Sequence, residues 1–129
     1  MNKQPLVVAE YAELMALHKA LLEAKFHPNP ENAYISGSPH VARIADATEL
    51  SLIALIRDNK GNEKAKEWEA WLDLAKHRWV FDRVVKHMRT HRQWEIWDLV
   101  ALYDYVRCMV SPFRCSTEHI EEIIESVRR

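Results

Sequence analysis

The chain has 129 residues, of which 48% are hydrophobic and 29% charged, and it contains only two glycines. This length and apolar content suffice for one domain with its own core, and the scarcity of glycine argues against disorder and against a turn-rich β-sandwich. The formal net charge of −1 excludes a protein that attracts polyanions over its whole surface.

Hydrophobic residues at helical spacing cover most of the chain, and prolines and glycines divide it into segments. The first helix is predicted over residues 5–25, after which a long loop of about residues 26–38 leads to the second helix. The second helix opens at Ser38, a typical cap residue, which is followed by proline at the first helical position. It ends at Gly61, because glycine favours the left-handed conformation that often follows a helix.

Residues 62–91 contain neither glycine nor proline, yet their hydrophobic residues change face partway along. We therefore predict one helix at about 62–77 and another at about 79–90. A fifth helix carries an apolar stripe and ends before Pro112, because the residue before proline disfavours helix; the stripe comprises Ile96, Leu99, Val100, Tyr103, Val106 and Val110. A short final helix is capped by Ser116 or Thr117.

Together these elements predict an all-α protein, a compact single domain over residues 1–129 formed by five to six antiparallel helices. No stretch approaches the roughly 20 apolar residues that span a bilayer, so we expect no membrane association. The N-terminal apolar run is too short for a signal-peptide core, and Cys108 and Cys115 match neither a redox pair nor a zinc set. We expect a cytoplasmic protein with reduced thiols and no cofactor.

The first candidate site is the start of the second helix, where Ser38, His40 and Arg43 lie close in sequence. Helix N-termini attract anions because their free N–H groups and the helix dipole act in the same direction. The alternative interpretation is that Ser38 only caps the helix while the preceding loop packs across an apolar groove.

The second candidate is a basic segment over residues 76–92, with two tryptophans close by. Cations that contact phosphates, together with aromatic rings that stack on bases, are typical of nucleic-acid recognition. Tryptophan is also enriched where proteins bind each other. The alternative is a solvated face whose cations pair with acidic helices. The residues concerned are Lys76, Arg78, Arg83, Lys86, Arg89, Arg92, Trp94 and Trp97.

A third set, His87, His91 and Glu95, has the four-residue spacing that aligns metal ligands on a helix. A helix junction is expected near His91, and neighbouring cations would repel a divalent ion, so we predict no metal site.

No catalytic motif is recognisable, and an enzyme is not the favoured class. The leading hypothesis is a regulatory, adaptor or inhibitor module that binds another protein. Separated acidic and basic segments would also support a homodimer. The alternatives are nucleic-acid binding through residues 76–92 and binding of a small anion at the start of the second helix.

Overall fold

A computed structural model describes residues 5–129. Helices account for 76% of these residues, and no strand occurs among them. The seven α-helices are α1 (Tyr11–Lys25), α2 (Tyr34–Gly37), α3 (Pro39–Lys60), α4 (Asn62–Trp71), α5 (Arg78–Thr90), α6 (Leu99–Val110) and α7 (Thr117–Arg128). Two 3-10 turns cover Leu74–Lys76 and Gln93–Ile96. The all-helical prediction is confirmed, whereas the described part contains seven α-helices instead of five or six.

The described residues contain no helix that is both long and apolar enough to cross a membrane.

The first helix starts later than the sequence predicted, at Tyr11 instead of residue 5. Glu10 has an extended backbone, and its carbonyl accepts the first helical hydrogen bond from the Leu14 N–H group. Leu6 and Val7 are exposed. A helical turn there would have no packing surface to offset the entropy lost in ordering it.

The predicted break between the third and fourth helices is present, but the helix before it ends at Trp71 instead of about residue 77. After α4 the backbone pairs with a distant segment: the Leu74 N–H group donates to the Arg114 carbonyl at 2.9 Å, and the Arg114 N–H group donates to the Leu72 carbonyl at 2.7 Å. The His77 Nε2 atom donates to the Trp71 carbonyl at 2.5 Å, which satisfies the end of α4. These partners replace helical hydrogen bonds and redirect the chain into α5.

The main core lies between α5, α6 and α7, whose buried faces follow helical spacing. On α5 that face comprises Val80, Phe81, Val84, Val85 and Met88. A smaller cluster of Ile53, Ile56, Ala65 and Leu72 joins α3 to α4. The caps predicted at Ser38 and Ser116 are both present, each accepting a hydrogen bond from a backbone N–H group of its helix.

A buried polar network ties α1, α3 and α4 together around the carboxylate of Glu49. One carboxylate oxygen bonds the His18 ring, and the other accepts from the Trp68 indole N–H group at 2.8 Å. The His18 ring also lies 5.4 Å from the Trp68 ring. Since all three groups are largely removed from water, each depends on the others for hydrogen bonds.

Replacing the central carboxylate should destabilise the fold strongly. In Glu49→Ala, the His18 ring and the Trp68 indole both lose their partner, so we expect the free energy of unfolding to fall by about 3 kcal/mol. Urea denaturation measures this change. The control is Asp58→Ala, an exposed acidic position on the same helix, where we expect a change within about 0.5 kcal/mol. Equal effects of both variants would contradict the network's structural role.

Candidate functional site

Two cations of α5 hold the segment that follows α1. The Arg83 Nε atom donates to the Phe26 carbonyl at 3.2 Å, and the Lys86 Nζ atom donates to the Pro28 carbonyl at 3.1 Å. We call residues 26–33 the connecting segment. Irregular backbone leaves carbonyls without regular partners, and these side chains supply partners for two of them.

Most other cations of the basic segment also engage groups of this chain. Arg89 donates to the Ser126 carbonyl of α7 at 2.6 Å. Arg78 forms an ion pair with Glu122 at 3.2 Å, and Arg92 forms one with Glu95 at 2.8 Å. Lys76 is exposed. Five of the six cations that the sequence singled out thus have intramolecular partners.

The deepest amine of the region belongs to Lys25, a residue that the sequence did not single out. Its side chain is only 2% exposed, and its Nζ atom donates to the Cys108 carbonyl at 2.5 Å. Burial lowers the pKa of this amine to about 8, an effect that the Cys108 thiol and the Asp46 carboxylate partly oppose. No sequence pattern distinguished this lysine, because a cation in the last turn of a helix is common and usually exposed.

A cavity of about 280 Å³ lies between the connecting segment and α5. Three cations line it, Lys25, Arg83 and Lys86, together with the rings of three histidines, His27, His87 and His91. Burial, and to a lesser degree the neighbouring His91, lower the pKa of His87 to about 4. The ring of His87 is therefore neutral near pH 7.

The predicted candidate metal ligands do not come together as a set of three. The rings of His87 and His91 lie 4.7 Å apart, whereas Glu95 pairs with Arg92. Within residues 5–129 no group of three or more histidine, cysteine or acidic side chains has a geometry that could hold a metal ion.

Next to the cavity lies a groove of about 680 Å³ between α2, the start of α3, the end of α5 and the middle of α6. Its aromatic lining comes from Tyr34, Trp97 and Tyr105, and His87 and His91 line it as well. The Trp97 and Tyr105 rings meet edge to face at 5.0 Å. We call this concavity the groove.

Gly37 allows α2 to approach α6 closely at the groove. A Cβ atom at this position would lie 2.6 Å from Cε2 of Tyr105. Any side chain here would therefore displace the Tyr105 ring.

The groove opens onto an apolar surface that the sequence did not predict. Ile96 is 90% exposed, Val100 73% and Tyr34 82%, with Leu99 and Trp97 also exposed. We call these five residues the apolar patch. The sequence assigned Ile96, Leu99 and Val100 to a buried helical stripe, and that assignment is wrong. Ile96 ends a 3-10 turn and Leu99 and Val100 begin α6, and none of the three side chains is covered by the core.

Of the two tryptophans expected at a binding face, only Trp97 is accessible. Trp94 is 2% exposed, and its indole N–H group donates to the Met88 carbonyl at 2.8 Å. Trp94 is therefore a core residue and cannot contact a partner.

The anion site predicted at the second helix corresponds to the start of α3. Ser38 Oγ accepts from the Val41 N–H group at 3.3 Å, and the Ala42 N–H group donates to the Ser38 carbonyl. His40 Nδ1 accepts from Arg43 at 2.6 Å. Since proline has no N–H group, at most one free backbone donor remains in this first turn. The cavity, by comparison, is lined by three cationic residues, Lys25, Arg83 and Lys86.

Comparisons with known proteins give no family for this chain. No protein-family model matches it, and neither the curated proteins nor the solved structures contain a significant match.

The buried amine predicts a specific pH dependence of stability. In the unfolded chain Lys25 titrates near pH 10.5, and in the folded protein near 8. Below pH 8 both states carry the proton, so the full cost of burying the charge is present. As pH rises from 8 to 10.5 the folded amine is neutralised first and that cost disappears. Across this interval the free energy of unfolding of the wild type should rise by on the order of 3 kcal/mol relative to that of Lys25→Met.

Urea denaturation of both proteins across the interval measures this gain. Tyr105 and Cys115, whose pKa values are raised by burial, titrate in both proteins and cancel in the difference. Cys108 interacts electrostatically with Lys25 and would not cancel, so both proteins carry Cys108→Ser. The exposed Lys66→Met serves as the control, and its difference from the wild type should not vary with pH. A constant difference for Lys25→Met would refute the buried charge.

Proposed function

We propose that this protein is a regulatory, adaptor or inhibitor module that binds another protein through the apolar patch and the groove. The observation that carries the proposal is the exposure of Ile96, Trp97, Leu99 and Val100 within five consecutive positions of the chain. Contiguous exposed apolar surface beside a concavity is characteristic of interaction sites. We place this activity in the cytosol, where Cys108 and Cys115, both free here, would remain thiols.

The chemistry of the groove favours one kind of occupant. Its rings and small residues suit apolar side chains, and no acidic residue lines it. A segment that presents apolar side chains would be complementary to the groove. We propose that the partner protein supplies such a segment.

The engagement of the basic segment favours a protein partner over a nucleic acid. Nucleic-acid affinity depends on cations that neutralise phosphates. Arg78 and Arg92 are already paired with carboxylates of this chain. The side chains of Ile96, Leu99 and Val100, by contrast, are more than half exposed, and a protein that covers them removes apolar surface from water.

Val100→Asp tests the proposal with a matched control, Leu50→Asp. Both side chains are exposed. Leu50 is away from the patch, because it lines a different cavity together with Arg107, which lies in the last turn of α6. Partners are first identified by capture from a nuclease-treated lysate of the source cell. Calorimetry with the purified partner should then show an affinity loss of at least about tenfold for Val100→Asp and little change for Leu50→Asp.

Several outcomes would contradict the proposal. A partner held equally by the wild type and Val100→Asp would show that the patch is not the interface. Capture that disappears after nuclease treatment would favour nucleic acid instead. A dimer of this chain that Val100→Asp dissociates, measured by light scattering, would make a second copy the occupant. Absence of any stoichiometric partner would also count against it.

A further inference from the structure

The cavity between the connecting segment and α5 has a cationic lining that contains no acidic residue. The side chains of Lys25, Arg83 and Lys86 all contribute to its lining. Within residues 5–129, no carboxylate lies within 4.0 Å of any of these three cationic groups. Three positive charges thus share one concavity without a neutralising ion pair, an arrangement that favours an anion.

The same cations are held in place yet keep donors free. Arg83 uses its Nε atom for the Phe26 carbonyl, and Lys86 uses one N–H group for the Pro28 carbonyl. An arginine has five N–H donors and a lysine three. Each side chain therefore has at least one further N–H group for a ligand. Because the existing hydrogen bonds fix the orientation, less entropy is lost on binding.

The histidines of the cavity add donors without adding fixed charge. His87 is half-buried and has its pKa lowered to about 4, so its neutral ring offers one N–H donor. His91 lies beside it, with ring centroids 4.7 Å apart. His87 lies in the last turn of α5 and His91 directly follows that helix, and both line the cavity together with Lys86.

The cavity is large enough to hold a small organic molecule. The cavity measures about 280 Å³, compared with the roughly 30 Å³ that one water molecule occupies in the liquid. A phosphate monoester carries a charge of about −1.5 to −2 and three acceptor oxygens, which matches several cationic donors better than one carboxylate does.

We propose that this cavity is a binding site for a small phosphate monoester, with Arg83 and Lys86 contacting the phosphate and Lys25 at its inner end. The site is separate from the start of α3, where the sequence predicted an anion. It does not depend on the protein-binding proposal, because the ligand is a free small molecule and the test needs no partner.

An NMR titration with glycerol 3-phosphate as the probe tests the site. In the wild type we expect saturable amide shifts confined to residues 25–30 and 83–91. Acetate at matched ionic strength should give much weaker binding. In Arg83→Gln/Lys86→Gln the dissociation constant should rise at least about tenfold, whereas Lys66→Gln/Lys76→Gln, which removes two exposed cations elsewhere, should bind as the wild type does.

If the double variant does not fold, the location of the amide shifts in the wild type still tests the site. The single variant Lys86→Gln, which leaves the Arg83 hydrogen bond intact, then replaces the double variant. Non-saturable shifts, or shifts spread over all basic surfaces, would overturn the proposal. So would equal weakening in the two double variants. Acetate binding as tightly as the phosphate would overturn the assignment of ligand class.

Discussion

The site region depends on the hydrogen bonds between the cations of α5 and the carbonyls of the connecting segment. Phe26 is buried in the main core, but the residues after it have no regular backbone partners. Arg83 and Lys86 supply those partners, and Ser36 Oγ donates to the Lys25 carbonyl at 2.7 Å. These contacts place α2 against α6. Without them the cavity would lose one wall and the groove another, since both are bounded by this part of the chain.

Most of the apolar patch lies around the start of α6. Asp98 caps that helix, its carboxylate accepting from the Ala101 N–H group at 2.9 Å. Ile96 ends the preceding 3-10 turn, and Leu99 and Val100 lie in the first turn of α6, where their side chains remain exposed. Trp97 is retained at the edge by its contact with Tyr105, and so forms both a wall of the groove and part of the patch.

His87 and His91 connect the two concavities, because both rings line the cavity and the groove. Their shared position sets a thermodynamic condition on any pair of ligands. If occupancy of the cavity changed the affinity of the groove, occupancy of the groove would change the affinity of the cavity by the same factor. The pKa of His87, lowered by burial, keeps this shared wall uncharged near neutral pH.

The sequence by itself determined the helical class, the caps at Ser38 and Ser116, and the break before α5, because these follow from local periodicity and from side chains that bond nearby backbone groups. It identified Arg83, Lys86, His87, His91 and Trp97 as notable residues but not what they contact. Only the tertiary structure decided that Trp94 is buried, that Ile96 and Val100 are exposed, and that Lys25 lies against Cys108. Those outcomes depend on contacts between residues far apart in the chain, such as Lys86 with Pro28, which no local pattern specifies.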